Sequence, residues 1–214
     1  EPGGTKTGSL LPTGIPTDTV SIKDAGDFEV SLIDSSVPCA FVAAERFGLT
    51  GAETVEELER NSDLMGLVEL IRLEAGVTMG LAESVTEVPP TAPKLGIVSR
   101  SSAYKTLAGE TINPSSADIT ARIWSMGQVH RVLPLTGAMC LAVACRIPGT
   151  ICNGIMSNEE GDVRISNPSG ILPLDAKVEI RNTTPFALQV TAYRTARALM
   201  EGNVLIPKAS DYSK

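Results

Sequence analysis

Thr136-Gly137-Ala138-Met139-Cys140-Leu141-Ala142-Val143-Ala144-Cys145-Arg146 is the stretch on which the fold turns. It has the residue types and length of a helix, and Ile147-Pro148-Gly149 ends it. A helix on a protein surface carries a polar stripe along one side, and this one is apolar all round. The spacing therefore predicts a central helix enclosed by other elements.

Working outward, the flanking segments read as the sheet that encloses it. Residues 21–23, 28–34 and 39–44 are short β-type runs, with Phe28, Val30 and Leu32 alternating with polar neighbours and Asp24-Ala25-Gly26-Asp27 supplying a hairpin turn. From Thr54 to Leu81 the apolar residues recur at three and four positions (Val55, Leu58, Leu64, Leu67, Val68, Ile71, Ala75), which predicts helix with Ser62-Asp63 as an N-cap. Pro89, Pro90 and Pro93 break that pattern, and Lys94 to Val98 reads as a buried strand. Residues 114–123 read as a capped helix, with Ser115 or Ser116 ahead of Asp118 in the first turn. Beyond the central helix, residues 163–166, 171–181, 187–193 and 204–206 are strand-like and 195–200 carry one or two helical turns. Residues 1–19, rich in Gly, Pro and Thr, look like a connecting segment. The class is α+β, a mixed sheet curled around one buried helix, without internal repeats.

Composition narrows the chemistry. The 214 residues hold 18 basic and 25 acidic side chains, a net charge of −7, which opposes binding to nucleic acid or to an anionic membrane. An anionic ligand must then be held by a local cluster. One His and 4% aromatic residues leave little for a multi-His metal site or for base stacking, so no metal is expected. Cys39, Cys140, Cys145 and Cys152 form no C-x-x-C pair and read as reduced structural thiols, in keeping with a cytoplasmic protein. No apolar run approaches the roughly 18 residues of a membrane span. The chain opens with Glu1-Pro2-Gly3-Gly4 rather than Met and shows no charged, apolar leader.

Two groups of residues could carry function. Gln128-Val129-His130-Arg131 precedes Thr136-Gly137-Ala138, so the single His and an Arg adjoin the start of the apolar helix. A helix start offers unpaired N–H groups and partial positive charge, and small residues admit a carboxylate. Arg131 can add a planar two-pronged grip and His130 a titratable donor. The plainer readings are an N-cap with tight packing for Thr136-Gly137 and a solvated pair for His130-Arg131. Asn167-Pro168-Ser169-Gly170, between two strands, is either an ordinary turn or a second set of N–H groups for an anion. Arg194, Arg197, Glu45-Arg46 and the run Glu53, Glu56, Glu57, Glu59 read as surface charge. Phosphate loops, nucleophile elbows and dinucleotide fingerprints are missing from the sequence.

Seven strings then occur as an ordered set: residues 10–14 (LLPTG), 48–53 (GLTGAE), 125–131 (SMGQVHR), 135–142 (LTGAMCLA), 146–150 (RIPGT), 167–170 (NPSG) and 194–207 (RTARALMEGNVLIP). Together the chain resembles the PrpF family of methylaconitate and aconitate Δ-isomerases, methylitaconate isomerase and oxalomesaconate tautomerase. The resemblance implies the diaminopimelate-epimerase-like fold, two similar domains each curled about a central helix with the active site between them. It implies that this chain is the second domain, residues 20–214, behind an interdomain linker and first turn at 1–19. The first domain would be absent, leaving a fragment, a processed product or one partner of a split enzyme. The implied reaction is a cofactor-free 1,3 proton shift in an unsaturated di- or tricarboxylate. The family's Lys and Cys acid/base groups belong to the missing domain, so no catalytic residue is expected here and the chain alone would be inactive. Met126, Gly127, His130, Arg131, Thr136, Gly137, Ala138, Ser169 and Gly170 would bind the substrate, the last three helix positions through backbone N–H groups. Asn167 stands where the family commonly has His, Val37-Pro38 where Asn-Pro is usual, and Pro134 where the epimerases have Cys. The rival readings are a non-catalytic tricarboxylate-binding domain and an assembly domain that forms a homodimer through its uncovered face.

Overall fold

A computed structural model describes residues 3–158, 160–194, 196–203 and 205–206. The elements run β1 (Asp18–Ile22), β2 (Gly26–Asp34), β3 (Pro38–Ala43), α1 (Val55–Arg60), α2 (Ser62–Thr78), β4 (Lys94–Ser99), β5 (Tyr104–Lys105) and β6 (Thr111–Ile112). There follow β7 (Ile119–Ser125), β8 (Gln128–Val129), α3 (Leu135–Cys145), α4 (Ile151–Ile155), β9 (Val163–Asn167), β10 (Gly170–Arg181) and β11 (Thr184–Ala192). One mixed sheet has the order β1-β2-β3-β4-β7-β9-β10-β11, with β8 added beside β7. Only β3–β4 and β7–β9 are parallel. Each needs a crossover, and α1–α2 lie in the first and α3–α4 in the second.

Alternation along the strands feeds two cores. Ala40, Val42, Leu95, Ile97 and Trp124 point to the α1–α2 side, while Cys39, Phe41, Val98, Ala121 and Ile123 point to α3. The helix α3 is buried from Cys140 through Cys145 and packs against β2, β3, β9, β10, β11 and α4. Burial of a Leu such as Leu141 contributes roughly 1.5–3 kcal/mol. The small residues Ala138, Ala142 and Ala144 let the surrounding strands come close. Arg146 and Ile147 donate to the carbonyls of Val143 and Ala144, and the Thr150 hydroxyl donates to Ala144 O at 2.8 Å, so the helix ends with its carbonyls satisfied.

Several local expectations change. Residues 114–123 do not form a helix: Pro114–Ser116 is one short turn capped by Asn113, and Ile119–Ser125 is the fully buried strand β7. The apolar residues Ile119, Ala121 and Ile123 follow a period of two, and Asp118 sits buried in an ion pair with Arg164 at 2.6 Å. The helical run after Thr54 divides at Asn61, whose side chain accepts from Leu64 N, so Asn61 rather than Ser62-Asp63 caps α2. Ala196 to Met200 adopt no helix and Leu205-Ile206 no strand; Thr195 and Val204 lie outside the described residues. The connecting segment is pinned: buried Asp34 accepts from Thr5 Oγ1, Lys6 N, Thr7 N and Thr7 Oγ1. All four cysteines are free and buried.

Candidate functional site

Pairing of β4 with β7 sets Leu95 opposite Trp124, which brings Lys94 beside Ser125. Lys94 Nζ donates to Ser125 Oγ at 3.1 Å, and its half-buried side chain lies over the first turn of α3. A Cβ on Gly137 would sit 3.5 Å from Lys94 Cδ, 3.3 Å from Pro134 Cγ and 3.1 Å from Ile123 Cδ1. Glycine at 137 therefore relieves the approach of Ile123 and Pro134, while the lysine stem lies at ordinary contact distance from the helix. Among the described residues Lys94 has no carboxylate in ion-pair distance. A half-buried ammonium without a counter-ion is a place where an anion gains a charge-assisted bond.

The helix start adds to the same charge. Its N-cap is Pro134, which has no side-chain acceptor, so helix α3 begins at Leu135 and Thr136 is inside the first turn. Among the described residues, the N–H groups of Leu135, Thr136 and Gly137 have no partner. Ala138 N is bonded to Pro134 O at 2.9 Å, so the expectation that Ala138 has an N–H to offer a ligand is corrected: the third open N–H is that of Leu135. On the other side Ser36 Oγ donates to Thr136 O at 2.6 Å and ties the helix start to the β2–β3 loop.

His130 and the hairpin before it border this region. Met126 (φ 55) and Gly127 (φ 75) form the two-residue turn between β7 and β8, and Met126 is 66% exposed. His130 N donates to Ile123 O at 2.9 Å, while its Nε2 is buried without a partner. Burial, and then the positive charge of Lys94, hold the His130 imidazole below its ordinary value of 6.5. The ring is thus neutral at pH 7, and the expected titratable donor is an uncharged one. Arg131 turns elsewhere: its guanidinium pairs with Glu56 of α1 at 3.0 Å, with both side chains well exposed. Among the described residues no hydrogen bond or ion pair joins that guanidinium to the helix start.

The turn at 167–170 reaches the site by one bond. Ser169 Oγ donates to Arg131 O at 2.7 Å. Its own N–H is already given to Asn167 Oδ1 at 3.0 Å, and Asn167 Nδ2 donates to Gly170 O at 2.9 Å. The turn is thus internally bonded rather than open to an anion, and Gly170 (φ 132) serves its geometry. The structure brings His130 and Gly137 close to Lys94, sets Met126 and Gly127 in the exposed turn that follows Ser125, keeps Thr136 in the first turn of α3, and joins Ser169 to the adjoining loop. Lys94 was missed because a lysine opening a buried strand carries no local signal of what faces it. Among the described residues no His, Cys, Asp and Glu group could hold a metal ion, and no helix is long and apolar enough to cross a membrane.

Comparisons with known proteins agree with one another. The family model described as PrpF protein matches residues 1–207. The chain is 35% identical over 212 residues to 3-methylitaconate isomerase of Eubacterium barkeri, covering 96% of this chain and 54% of that protein. It is 30% identical over 204 residues to 2-methyl-aconitate isomerase of Shewanella oneidensis, covering 94% and 51%. The crystal structure of methylitaconate-delta-isomerase matches with a TM-score of 0.79 at 28% identity, covering 97% of this chain and 57% of that one. The chain spans about half the length of the curated relatives it matches.

Proposed function

From the premise that the chain belongs to the PrpF family, we propose that it is the carboxylate-holding half of an isomerase that moves a C=C bond within an unsaturated di- or tricarboxylate such as aconitate, methylaconitate or oxalomesaconate. The observation that carries this reading is Lys94, a half-buried ammonium that has no counter-ion among the described residues, lying over a helix start whose first three N–H groups find no partner among them. Part of the same proposal is the diaminopimelate-epimerase-like arrangement, with the sheet curled about α3. In its support, α3 touches β2 and β3 on one side of the strand order and β9 to β11 on the other.

The reaction needs a charge sink. A base takes a proton from the allylic carbon, and the freed electron pair becomes the new C=C bond. The old π pair moves onto the conjugated carboxylate, which then carries a second negative charge. A proton delivered at the far carbon draws that pair back, so one proton leaves and one arrives. Lys94, Ser125 Oγ and the N–H groups of Leu135, Thr136 and Gly137 hold the carboxylate that receives the charge. Such fixed donors stabilise the intermediate more than the substrate. Because the carboxylate itself is the electron sink, no cofactor enters the scheme. His130, kept neutral, adds a polar edge without repelling Lys94. Met126, Gly127, Ser169 and Gly170 form the rim, and Arg131 becomes a second grip if a substrate carboxylate displaces Glu56. The base and acid are assigned to a Lys and a Cys of a first domain outside this sequence.

Titration of citrate and cis-aconitate into the chain, followed by calorimetry, tests the site. Lys94→Met is expected to weaken binding by about 30-fold, roughly 2 kcal/mol for a charged partner. Equal affinity of the two proteins removes Lys94 and the site with it. In deuterated water the chain alone is expected to leave the allylic protons of cis-aconitate unexchanged by NMR; rapid exchange would overturn the assignment of the base to another domain.

A further inference from the structure

On the side of β7 away from α3, a polar chain runs toward the same site. Arg122 is 3% exposed, and its Nε and Nη2 both donate to Glu53 O at 3.2 Å. Its guanidinium carbon lies 5.0 Å from the centroid of the Tyr104 ring, a cation–π contact that fixes the ring plane. Tyr104 is itself buried, and its hydroxyl donates to Asn167 O at 2.5 Å and accepts from Ser166 Oγ at 3.0 Å. Nearby, Leu107 N donates to Pro168 O at 2.8 Å. The 167–170 turn is thus clamped from behind by the segment that starts at Tyr104. In front, Ser169 Oγ holds Arg131 O.

We infer that Tyr104, carried on Arg122, is a positioning residue that sets the β8–α3 loop, and with it the open N–H groups of α3, by holding the 167–170 turn through its hydroxyl. The inference rests on the reading of the anion site given above. The loop between Val129 and Leu135 is anchored near α3 by Leu133, buried in the core, and its earlier part has few other restraints. His130 N is bonded to Ile123 O at its start, and the Arg131–Glu56 pair is exposed and weakly held. Among the described residues, Arg131 O is the loop carbonyl that accepts from another element. The turn keeps its own shape through the two Asn167 side-chain bonds. Loss of the phenol oxygen leaves the bond from Leu107 N to Pro168 O as the remaining clamp, about which the turn pivots as a unit rather than unfolds. Ser169 moves with it, Arg131 O follows, and the first turn of α3 leaves its alignment with Lys94. No atom of Tyr104 has to touch a ligand for this effect.

The test is a citrate titration of the 214-residue chain followed by amide NMR, with Tyr104→Phe, Ser169→Ala and the double variant. Each single variant is expected to weaken citrate about 5-fold and to shift the Thr136 and Gly137 amides, while Ile155 in α4 stays in place. The double variant is expected to lose no more than either single one, because both cut one path. Additive losses, or full affinity in both single variants, would overturn the relay. If Tyr104→Phe fails to fold, Ser169→Ala decides, since Ser169 is exposed and its removal leaves no buried gap. Lys94→Met separates the two claims. Loss of citrate binding there with full binding in the relay variants rejects the relay alone, whereas full binding in Lys94→Met rejects the site.

Discussion

The helices α1 and α3 each begin beside β8 or its loop, yet their starts are finished in opposite ways. At α1 the Thr54 side chain accepts from Glu57 N at 3.2 Å and Glu57 Oε2 accepts from Thr54 N at 2.8 Å, a reciprocal capping box. The helices α2 and α4 are closed by Asn61 and Thr150 in the same spirit. At α3 a proline stands in the capping position, and three N–H groups find no side-chain oxygen among the described residues. A sequence able to cap three helices has left the fourth, and most buried, uncapped. The difference bears on the proposed anion site: a capped end has already used its donors, and the open one beside Lys94 has not.

The most direct way to break this contrast is to cap α3. Pro134→Asp places a carboxylate where it can accept from the first-turn N–H groups. Citrate affinity in calorimetry is expected to fall at least 10-fold, while the melting temperature rises, an N-cap contributing about 1 kcal/mol. A variant that binds citrate as well as the parent would show that the open donors take no part. The reverse change sharpens the other side. Thr54→Ala dissolves the capping box of α1 and is expected to cost about 1 kcal/mol in urea unfolding with citrate affinity unmoved. A loss of affinity there would mean that α1, through Glu56 and Arg131, belongs to the site.

The smallest expected effect concerns His130. Its folded value lies below the ordinary 6.5, so as pH falls below 6.5 the unfolded chain takes up a proton that the folded chain refuses. Stability therefore rises with pH through the window between the folded value and 6.5. His130→Gln is expected to flatten that part of a stability profile measured by urea unfolding from about pH 5 to about pH 7. An unchanged slope would mean that Lys94 and burial do not act on the ring as described. Asp118 has the same sense at lower pH: burial pushes its carboxyl up, but the bonds from Arg164 outweigh this and hold it below the usual range, so its contribution is lost only in acid.

Much of the framework was readable one residue at a time. The apolar girdle of 136–146 predicted a buried helix, and Asp24-Ala25-Gly26-Asp27 a hairpin; both stand, with Asp24 and Gly26 at positive φ. The error at 114–123 has a definite cause. Ser-Ser-Ala-Asp is a good helix start, and that local signal overrode the strand-like alternation of Ile119, Ala121 and Ile123 with Thr120 and Arg122. At the site, His130, Thr136 and Gly137 were legible because a small residue at a helix start beside His and Arg has a local chemical meaning. The direction of Arg131 was not, since Glu56 lies far off in sequence and is met only through packing of α1 on β8.

By itself the sequence determined which segments are buried and which are turns, because those follow from periodicity within a few neighbouring residues and from the stereochemistry of Gly, Pro, Asn and Asp. It also carried the ordered strings that mark the family. The tertiary structure alone decided that Lys94 meets Ser125 and Gly137, that Ala138 spends its N–H inside the helix, and that Tyr104 reaches Arg131 through the 167–170 turn. Those are consequences of strand register. One residue of slip in the β4–β7 pairing would turn Lys94 to the other face of the sheet, and no local pattern records that choice.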